Sequence, residues 1–183
     1  MLKHDVLVIG GGLAGLRAAL EAHSNGADVA VITKVHPVRS HSNAAQGGIN
    51  AALTDRGDNW EEHAFETVKG SDYLGDQDAI EILCQEAGQA IIEQEHMGVI
   101  FSRDENGHLG ARSFGGQQRA RTFFVADFTG QAMLHVMYEQ MIKAGIRVYE
   151  EWFLTSLVIE DGQCHGVVAI EMMTGKLQII KSK

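Results

Sequence analysis

A glycine-rich turn near the start of the chain, Gly10-Gly11-Gly12-Leu13-Ala14-Gly15, restricts the fold more than any other feature. Ahead of it, Asp5-Val6-Leu7-Val8-Ile9 is a short, continuous apolar run of the kind that forms a strand buried in a parallel sheet. Behind it, Leu13 to His23 is rich in Ala and Leu and reads as a helix, closed by Asn25-Gly26. Val29-Ala30-Val31-Ile32 is a second buried strand, so residues 5–34 make one βαβ unit. In that setting Gly10 permits the tight turn, Gly12 lets backbone approach a pyrophosphate, and Gly15 lets the helix pack close to the strand. The helix N-terminus presents N–H groups and a positive dipole end to the phosphates. The motif predicts dinucleotide binding.

The pattern then changes. From Lys34 to Gly48 the chain is polar, small and loop-like. Residues 49–145 are dominated by helical signals. Ile49 to Leu53 reads as a short helix, and Asn59 as the N-cap of a helix through Trp60, Phe65 and Val68. Asp76 or Asp78 caps a longer one reaching about His96, with Ile80, Leu83, Cys84, Ala87, Ile91 and Ile92 at helical spacing. Phe101 to Arg121 reads as irregular. Thr129 opens a further helix, closed by Gly145, in which Met133, Met137 and Met141 read as core and His135 as a core histidine beside them. His63 reads as a helix-surface residue.

Ile146-Arg147-Val148-Tyr149 reads as a third parallel strand. The apolar runs from Leu154 to Ile159, Gly166 to Met172 and Lys176 to Ile180 are broken by Asp161-Gly162 and Thr174-Gly175. They predict an antiparallel meander, so that 146–181 holds one parallel strand and a β-meander. The fold class is therefore α/β, a Rossmann-like domain with a parallel sheet plus an antiparallel β-meander. The meander ends at Lys181-Ser182-Lys183 without a return to the parallel sheet, whose first strand keeps an unfilled edge. The chain reads as truncated.

At 183 residues there is length for one domain with a proper core. The formal net charge of −9 excludes a general nucleic-acid binder, since no basic surplus exists to neutralise phosphates. Cys84 and Cys164 are far apart and form no CxxC pair, so no zinc or redox motif and no metal site are predicted. Met1 runs straight into the first strand without a charged leader, and no apolar run approaches the ~20 residues of a membrane span. The chemistry reads as cytoplasmic, with any membrane reached through partners.

The second informative segment is Arg39-Ser40-His41-Ser42-Asn43-Ala44-Ala45-Gln46-Gly47-Gly48. It puts one histidine in a small-residue loop against which a flat, bulky cofactor can lie. Attack of a ring nitrogen on the 8α-carbon of a flavin requires a neutral imidazole, a fixed tautomer and a rigid loop. The plainer alternative is a loop histidine bonded to its neighbours. Rossmann sites usually carry Asp or Glu about 20 residues past the glycines to accept from the ribose hydroxyls. Here Ile32-Thr33-Lys34 stands at that place, and Asp28 comes too early. Lys34 by itself is compatible with the 2′-phosphate of NADP.

Taken together, these segments resemble the N-terminal FAD-binding part of the flavoprotein subunit of succinate dehydrogenase and fumarate reductase. Thr67 to Asp78, Phe114-Gly115-Gly116, Arg121-Thr122, Ala126-Asp127, Thr129-Gly130 and Leu134-His135 also look like theirs. The resemblance implies FAD bonded covalently, as an 8α-histidyl link, to His41. It implies FAD contacts at Gly10, Gly11, Gly12, Leu13, Ala14, Gly15, Ile32, Thr33, Lys34, Ser40, Ser42, Asn43, Ala44, Ala45, Gln46, Gly47 and Gly48. Trp152, Phe153 and Leu154 would border the adenine, while Gln46, Gly47 and Phe114 would lie next to a dicarboxylate substrate.

The family's reaction is oxidation of succinate to fumarate by hydride transfer to FAD, with electrons passing to an iron–sulfur subunit and on to quinone. Its partners would be that subunit and a membrane-anchor subunit, holding the assembly peripherally on the inner face of the cell membrane. No catalytic residue is expected in this chain, because the proton-carrying arginine would lie beyond Lys183. Capping and C-terminal domains would likewise be absent. An L-aspartate oxidase shares a similar Ala-Gln-Gly-Gly loop but lacks the histidine, and a non-catalytic flavin-binding fragment is the remaining alternative.

Overall fold

The computed structural model describes residues 2–183 and divides into two units. One holds residues up to 43 together with 133–183, and the other holds 44–132. In chain order the elements are β1 (Leu2–Lys3), β2 (Val6–Ile9), α1 (Leu13–Ser24), β3 (Val29–Thr33), β4 (Ile49–Asn50), α2 (Trp60–Gly70) and α3 (Gln77–Met97). They continue with β5 (Ala111–Arg112), β6 (Thr122–Phe123), α4 (Thr129–Lys143), β7 (Arg147–Glu150), β8 (Trp152–Glu160), β9 (Gln163–Glu171) and β10 (Lys176–Lys181).

In the first unit β2, β3 and β7 form a parallel sheet in that order, so β3 is central and all five of its residues are buried. This burial explains the uninterrupted apolar run of its sequence. The second sheet, ordered β1-β10-β9-β8, is the meander. Asp161 and Gly162 both take positive φ, 50° and 78°, which matches the two-residue hairpin turn between β8 and β9. The meander's inner face supplies Val167, Ala169 and Ile180 to a core shared with Ala30, Ile32 and Tyr149. Leu2 of β1 packs against that core, and β1 pairs in parallel with β10 through Leu2 and Ile180.

In the second unit α2 packs on α3. Their starts follow from local chemistry: Asn59 Oδ1 accepts from the Glu62 N–H at 2.7 Å, and Asp76 Oδ1 from the Ala79 N–H at 3.2 Å. Each such cap is worth about 1 kcal/mol. The expected helix at Ile49 to Leu53 is instead strand β4, because Ile49 and Asn50 find partners in Phe123 and Thr122 of β6. The stretch from Phe101 to Arg121 is likewise not wholly irregular. It contains β5 and an isolated Arg103–Leu109 bridge, giving a small sheet ordered β4-β6-β5.

Two histidines exchange the environments expected of them. His63 is only 3% exposed, whereas His135 is exposed. Helical phase explains the second. Met133, Met137 and Met141 make the buried stripe of α4, and His135 stands two positions off it, nearly opposite.

The join of α1 to β2 leaves no room for a side chain. A Cβ on Gly15 would run into the Gly10 carbonyl oxygen and lie 3.4 Å from Val8 Cγ1. Gly15→Ala is therefore expected to lower stability by roughly 1–3 kcal/mol. Gly70→Ala, at a position with nothing within 4 Å, should leave it nearly unchanged. Urea unfolding of both variants checks this, and equal midpoints would show that α1 does not press on the turn.

Candidate functional site

The first unit contains a cleft of about 510 Å³, within the ~300–1,000 Å³ typical of cofactor pockets. It opens outside the carboxyl ends of β2 and β3, where ligands of open α/β sheets bind. Its walls are Ile9, Gly10, Gly11, Gly12, Ile32, Thr33, Lys34, Val35, Arg39, Ser40, His41, Trp152, Phe153 and Leu154. Segments more than a hundred residues apart thus meet on one surface.

The glycine floor is tight. A Cβ on Gly11 would lie 3.1 Å from Thr33 Oγ1, and one on Gly12 would lie 3.2 Å from Ser42 Oγ. A side chain at either position would press on its neighbours, and as glycines both present bare backbone to a ligand. Gly12 is the N-cap of α1 and contributes no side-chain cap. The Leu13 N–H donates instead to Ser42 Oγ at 3.2 Å, tying the His41 loop to the helix start. No acidic residue occupies the first turn of α1, leaving its positive end uncompensated by local charge.

The loop itself is built from two 3-10 turns, Pro37–Arg39 and His41–Ala44. The Thr33 hydroxyl donates to the Val35 carbonyl at 2.8 Å, which turns the chain as it leaves β3. His41 is exposed at the cleft rim, whereas the Ser40 hydroxyl is buried and has no hydrogen-bond partner among the described residues. A buried orphan hydroxyl beside a bare glycine floor fits a polar ligand that completes the site. Across the cleft, Trp152 is half-buried against Tyr149, with ring centroids 5.3 Å apart. Phe153 is 50% exposed and offers a flat apolar surface.

Of the remaining residues read from sequence, Leu13, Ala14 and Gly15 form the first turn of α1 and do not line the cleft. Neither do Ser42 and Asn43. Ala44, Ala45, Gln46, Gly47 and Gly48 belong to the second unit. There the structure brings Gly47 beside Phe114: a Cβ on Gly47 would contact the ring at 3.5 Å. Phe114 is 56% exposed and Gln46 is exposed as well. Arg39, the first residue of the second informative segment, also lines the cleft, as do Ile9 and Val35, to which the sequence assigned no role. The rule that ligands sit past the carboxyl ends of strands was the signal for Ile9 and Val35.

Sequence reasoning also gave no role to a buried charge group in the second unit. Arg121 is 1% exposed, with Nη2 2.9 Å from Asp58 Oδ1 and Nη1 3.1 Å from Glu66 Oε2. Arg119 donates to Glu62 at 2.7 Å, which holds the Glu62 carboxyl below its ordinary range. His63 lies in this group, and burial first, then the Arg121 charge, push its imidazole down from 6.5. Among the described residues no cluster of His, Cys, Asp and Glu suited to a metal ion occurs, and no helix is long and apolar enough to cross a membrane.

The family described as FAD binding domain matches residues 5–183. The chain belongs to the FAD binding domain family. It is 48% identical, over 98% of its length, to the succinate dehydrogenase flavoprotein subunit of Rickettsia conorii. It is 44% identical, over 97% of its length, to the fumarate reductase flavoprotein subunit of Mycobacterium tuberculosis. Among solved structures, the quinol fumarate reductase of E. coli superposes with a TM-score of 0.93 at 37% identity, covering 100% of this chain and 32% of that one. The match covers 32% of the Rickettsia protein and 31% of the Mycobacterium protein, so the chain spans about a third of the length of the curated relatives it matches. The cleft fits the family's cofactor: a backbone floor for a pyrophosphate, a lysine at a strand end, an orphan hydroxyl, and an aromatic wall.

Acid sensitivity follows from His63. Its depressed native pKa means that, below about 6.5, the unfolded chain binds a proton that the native chain resists. Stability is therefore lost as pH falls from 6.5 towards the lowered native value. His63→Gln should flatten that slope, measured as urea midpoints at pH 5 and pH 7.5. An unchanged slope would assign the sensitivity to other groups.

Proposed function

We propose that this chain forms the FAD-binding part of the flavoprotein subunit of a succinate:quinone oxidoreductase, with FAD bonded covalently to His41 as an 8α-histidyl link. One observation carries the reading: His41, Ser40, the Gly10–Gly12 floor, Thr33-Lys34 and Trp152 to Leu154 line a single cleft. Similarity to succinate dehydrogenase and fumarate reductase flavoprotein subunits supports the choice of reaction. FAD, when bound, accepts the two electrons released as succinate becomes fumarate.

The chain's own residues bind and orient. Gly10, Gly11 and Gly12, with the first turn of α1 from Leu13 through Gly15, receive the pyrophosphate on backbone N–H groups. Ile32, Thr33 and Lys34 hold the ribose end, and Trp152, Phe153 and Leu154 shield the adenine. Ser40 and Ser42 to Gly48 complete the flavin bed around His41. Gln46, Gly47 and Phe114 border the dicarboxylate and exclude water from it. The family resemblance assigns the proton lost by succinate to an arginine that is not among these residues. Electrons leave through an iron–sulfur subunit, and a membrane-anchor subunit holds the assembly at the inner face of the cell membrane. The similarity to a quinol fumarate reductase supports these partners.

The test is the fate of flavin in acid. The holoprotein is denatured in acid and digested, and yellow, fluorescent flavin should remain on the peptide containing His41. In His41→Ser it should be released while the native protein still binds FAD. Flavin that leaves the unmodified protein in acid overturns the covalent link, and a protein isolated without flavin overturns the whole reading.

A further inference from the structure

The loop that carries His41 is tied to the rest of the first unit on both sides of that residue, and the earlier tie is made by His36. Glu150, the last residue of β7, stands opposite Thr33, the last residue of β3. Beyond that strand end the Thr33 hydroxyl turns the chain through the Val35 carbonyl, and His36 follows. The His36 ring packs edge-on against Tyr138 of α4, with centroids 4.9 Å apart and planes at 70°. Its Nε2 lies 3.6 Å from Glu150 Oε2. Its Nδ1 is buried and has no hydrogen-bond partner among the described residues, so the polar contact that orients the ring is the one to Glu150. Burial first, then the Glu150 charge, raise the Tyr138 phenol above its ordinary value, so the three groups form one cluster.

The backbone passes this anchorage on to His41. The His36 carbonyl accepts from the Arg39 N–H at 2.8 Å and heads the first 3-10 turn, which the Ser40 N–H closes on the Pro37 carbonyl at 2.9 Å. Pro37 is buried and fixes φ at the first position of that turn. The Asn43 N–H then bonds to the Ser40 carbonyl at 3.0 Å and heads the second turn. Past His41, Ser42 Oγ accepts from the Leu13 N–H. His41 therefore stands between two anchors, His36 upstream and Ser42 beside it. It is itself exposed at the cleft rim, so its place is set by the loop backbone and not by burial.

We propose that His36 is a positioning residue for the bonding of FAD to His41, holding the loop on Glu150 and Tyr138 so that the His41 imidazole meets the flavin in one orientation. The inference rests on the reading that His41 carries the 8α link. In that step the imidazole N–H and one 8α C–H bond break, and the N–C bond forms. The two protons and two electrons released pass to the flavin ring, which ends reduced, so no other oxidant enters. His36 neither gives nor takes a proton. Its effect is on how often His41 occupies the bonding geometry, and a displacement of about 1 Å can slow a reaction between bound groups by ~100-fold.

The full protein and its His36→Ala, His36→Phe and Glu150→Ala variants are made in riboflavin-starved cells, then supplied with FAD and sampled over time. Total flavin per chain and the flavin that stays on the His41 peptide in acid are measured separately. His36→Ala, which loses both contacts, should bind FAD as the parent does but gain acid-stable flavin about tenfold more slowly. His36→Phe keeps a ring against Tyr138 and cannot meet Glu150, so its rate should fall between the two. Glu150→Ala removes the same contact from the other side and should match it. Acid-stable flavin forming at the parent's rate in His36→Ala overturns the proposal. So does total flavin falling in step with acid-stable flavin in all three variants, which would make the contacts merely structural. A parent that binds FAD and releases all of it in acid would instead overturn the reading beneath.

Discussion

The approach of α1 to the turn that precedes it is the constraint on which the first unit depends. With no Cβ at Gly15, the helix lies directly against the Gly10 carbonyl. Its N-terminus is thereby brought to the end of β2 instead of being displaced by a side chain's width. The distance matters because the favourable field of a helix end falls off within a turn. Everything that faces the cleft is arranged around that end: Thr33 turns the chain, Ser42 caps the helix from the loop, and His41 follows from where the loop is tied. The cleft is a consequence of close packing by backbone, and its floor is backbone for the same reason.

The two units are held by different physics. The first is an ordinary apolar core, in which Ile32, Tyr149, Val167 and Ile180 fill the space between a parallel sheet and a meander. In the second, a buried arginine is matched to two carboxylates of the segment leading into and along α2. Isolated, any of these charges would be expensive to bury, and the attraction offsets that expense only when partners are well aligned. Such a group confers little net stability. It does fix geometry, since Arg121 stands immediately before β6, the strand that pairs with both β4 and β5. Those strands carry Arg112 and lead out of the Gly47-Gly48 loop. The polar group thus orders a small sheet too short to hold itself together by strand pairing alone.

Much of the architecture was legible residue by residue where the signal is local. The βαβ unit, the caps Asn59 and Asp76, and the Asp161-Gly162 hairpin depend on neighbours within a few positions, and the structure has them where the pattern put them. The departures all involve distant partners. Ile49-Asn50 looks helical until Phe123 and Thr122 are beside it. Leu2-Lys3 carries no strand signal and becomes one because β10 returns alongside. His135 reads as core from the methionines beside it and His63 as surface, whereas their burial is decided by which helix face meets a neighbour. Lining residues Ile9 and Val35 were missed because aliphatic side chains at strand ends look the same whether they meet protein or ligand.

The amino-acid order alone determined the backbone chemistry of the site: glycines that present bare backbone, a serine and a histidine in a small-residue loop, and a lysine ending a buried strand. These are properties of residues and their nearest neighbours, and sequence records them directly. The tertiary structure alone decided which of them share a surface. It set Trp152 to Leu154 across the cleft from Gly10 to Gly12, left the Ser40 hydroxyl without a partner among the described residues, and brought Arg112 to the Gly47 carbonyl. Each of those depends on contacts between segments tens to more than a hundred residues apart. Such contacts are selected by the packing of sheets and helices as a whole, and no local pattern encodes them.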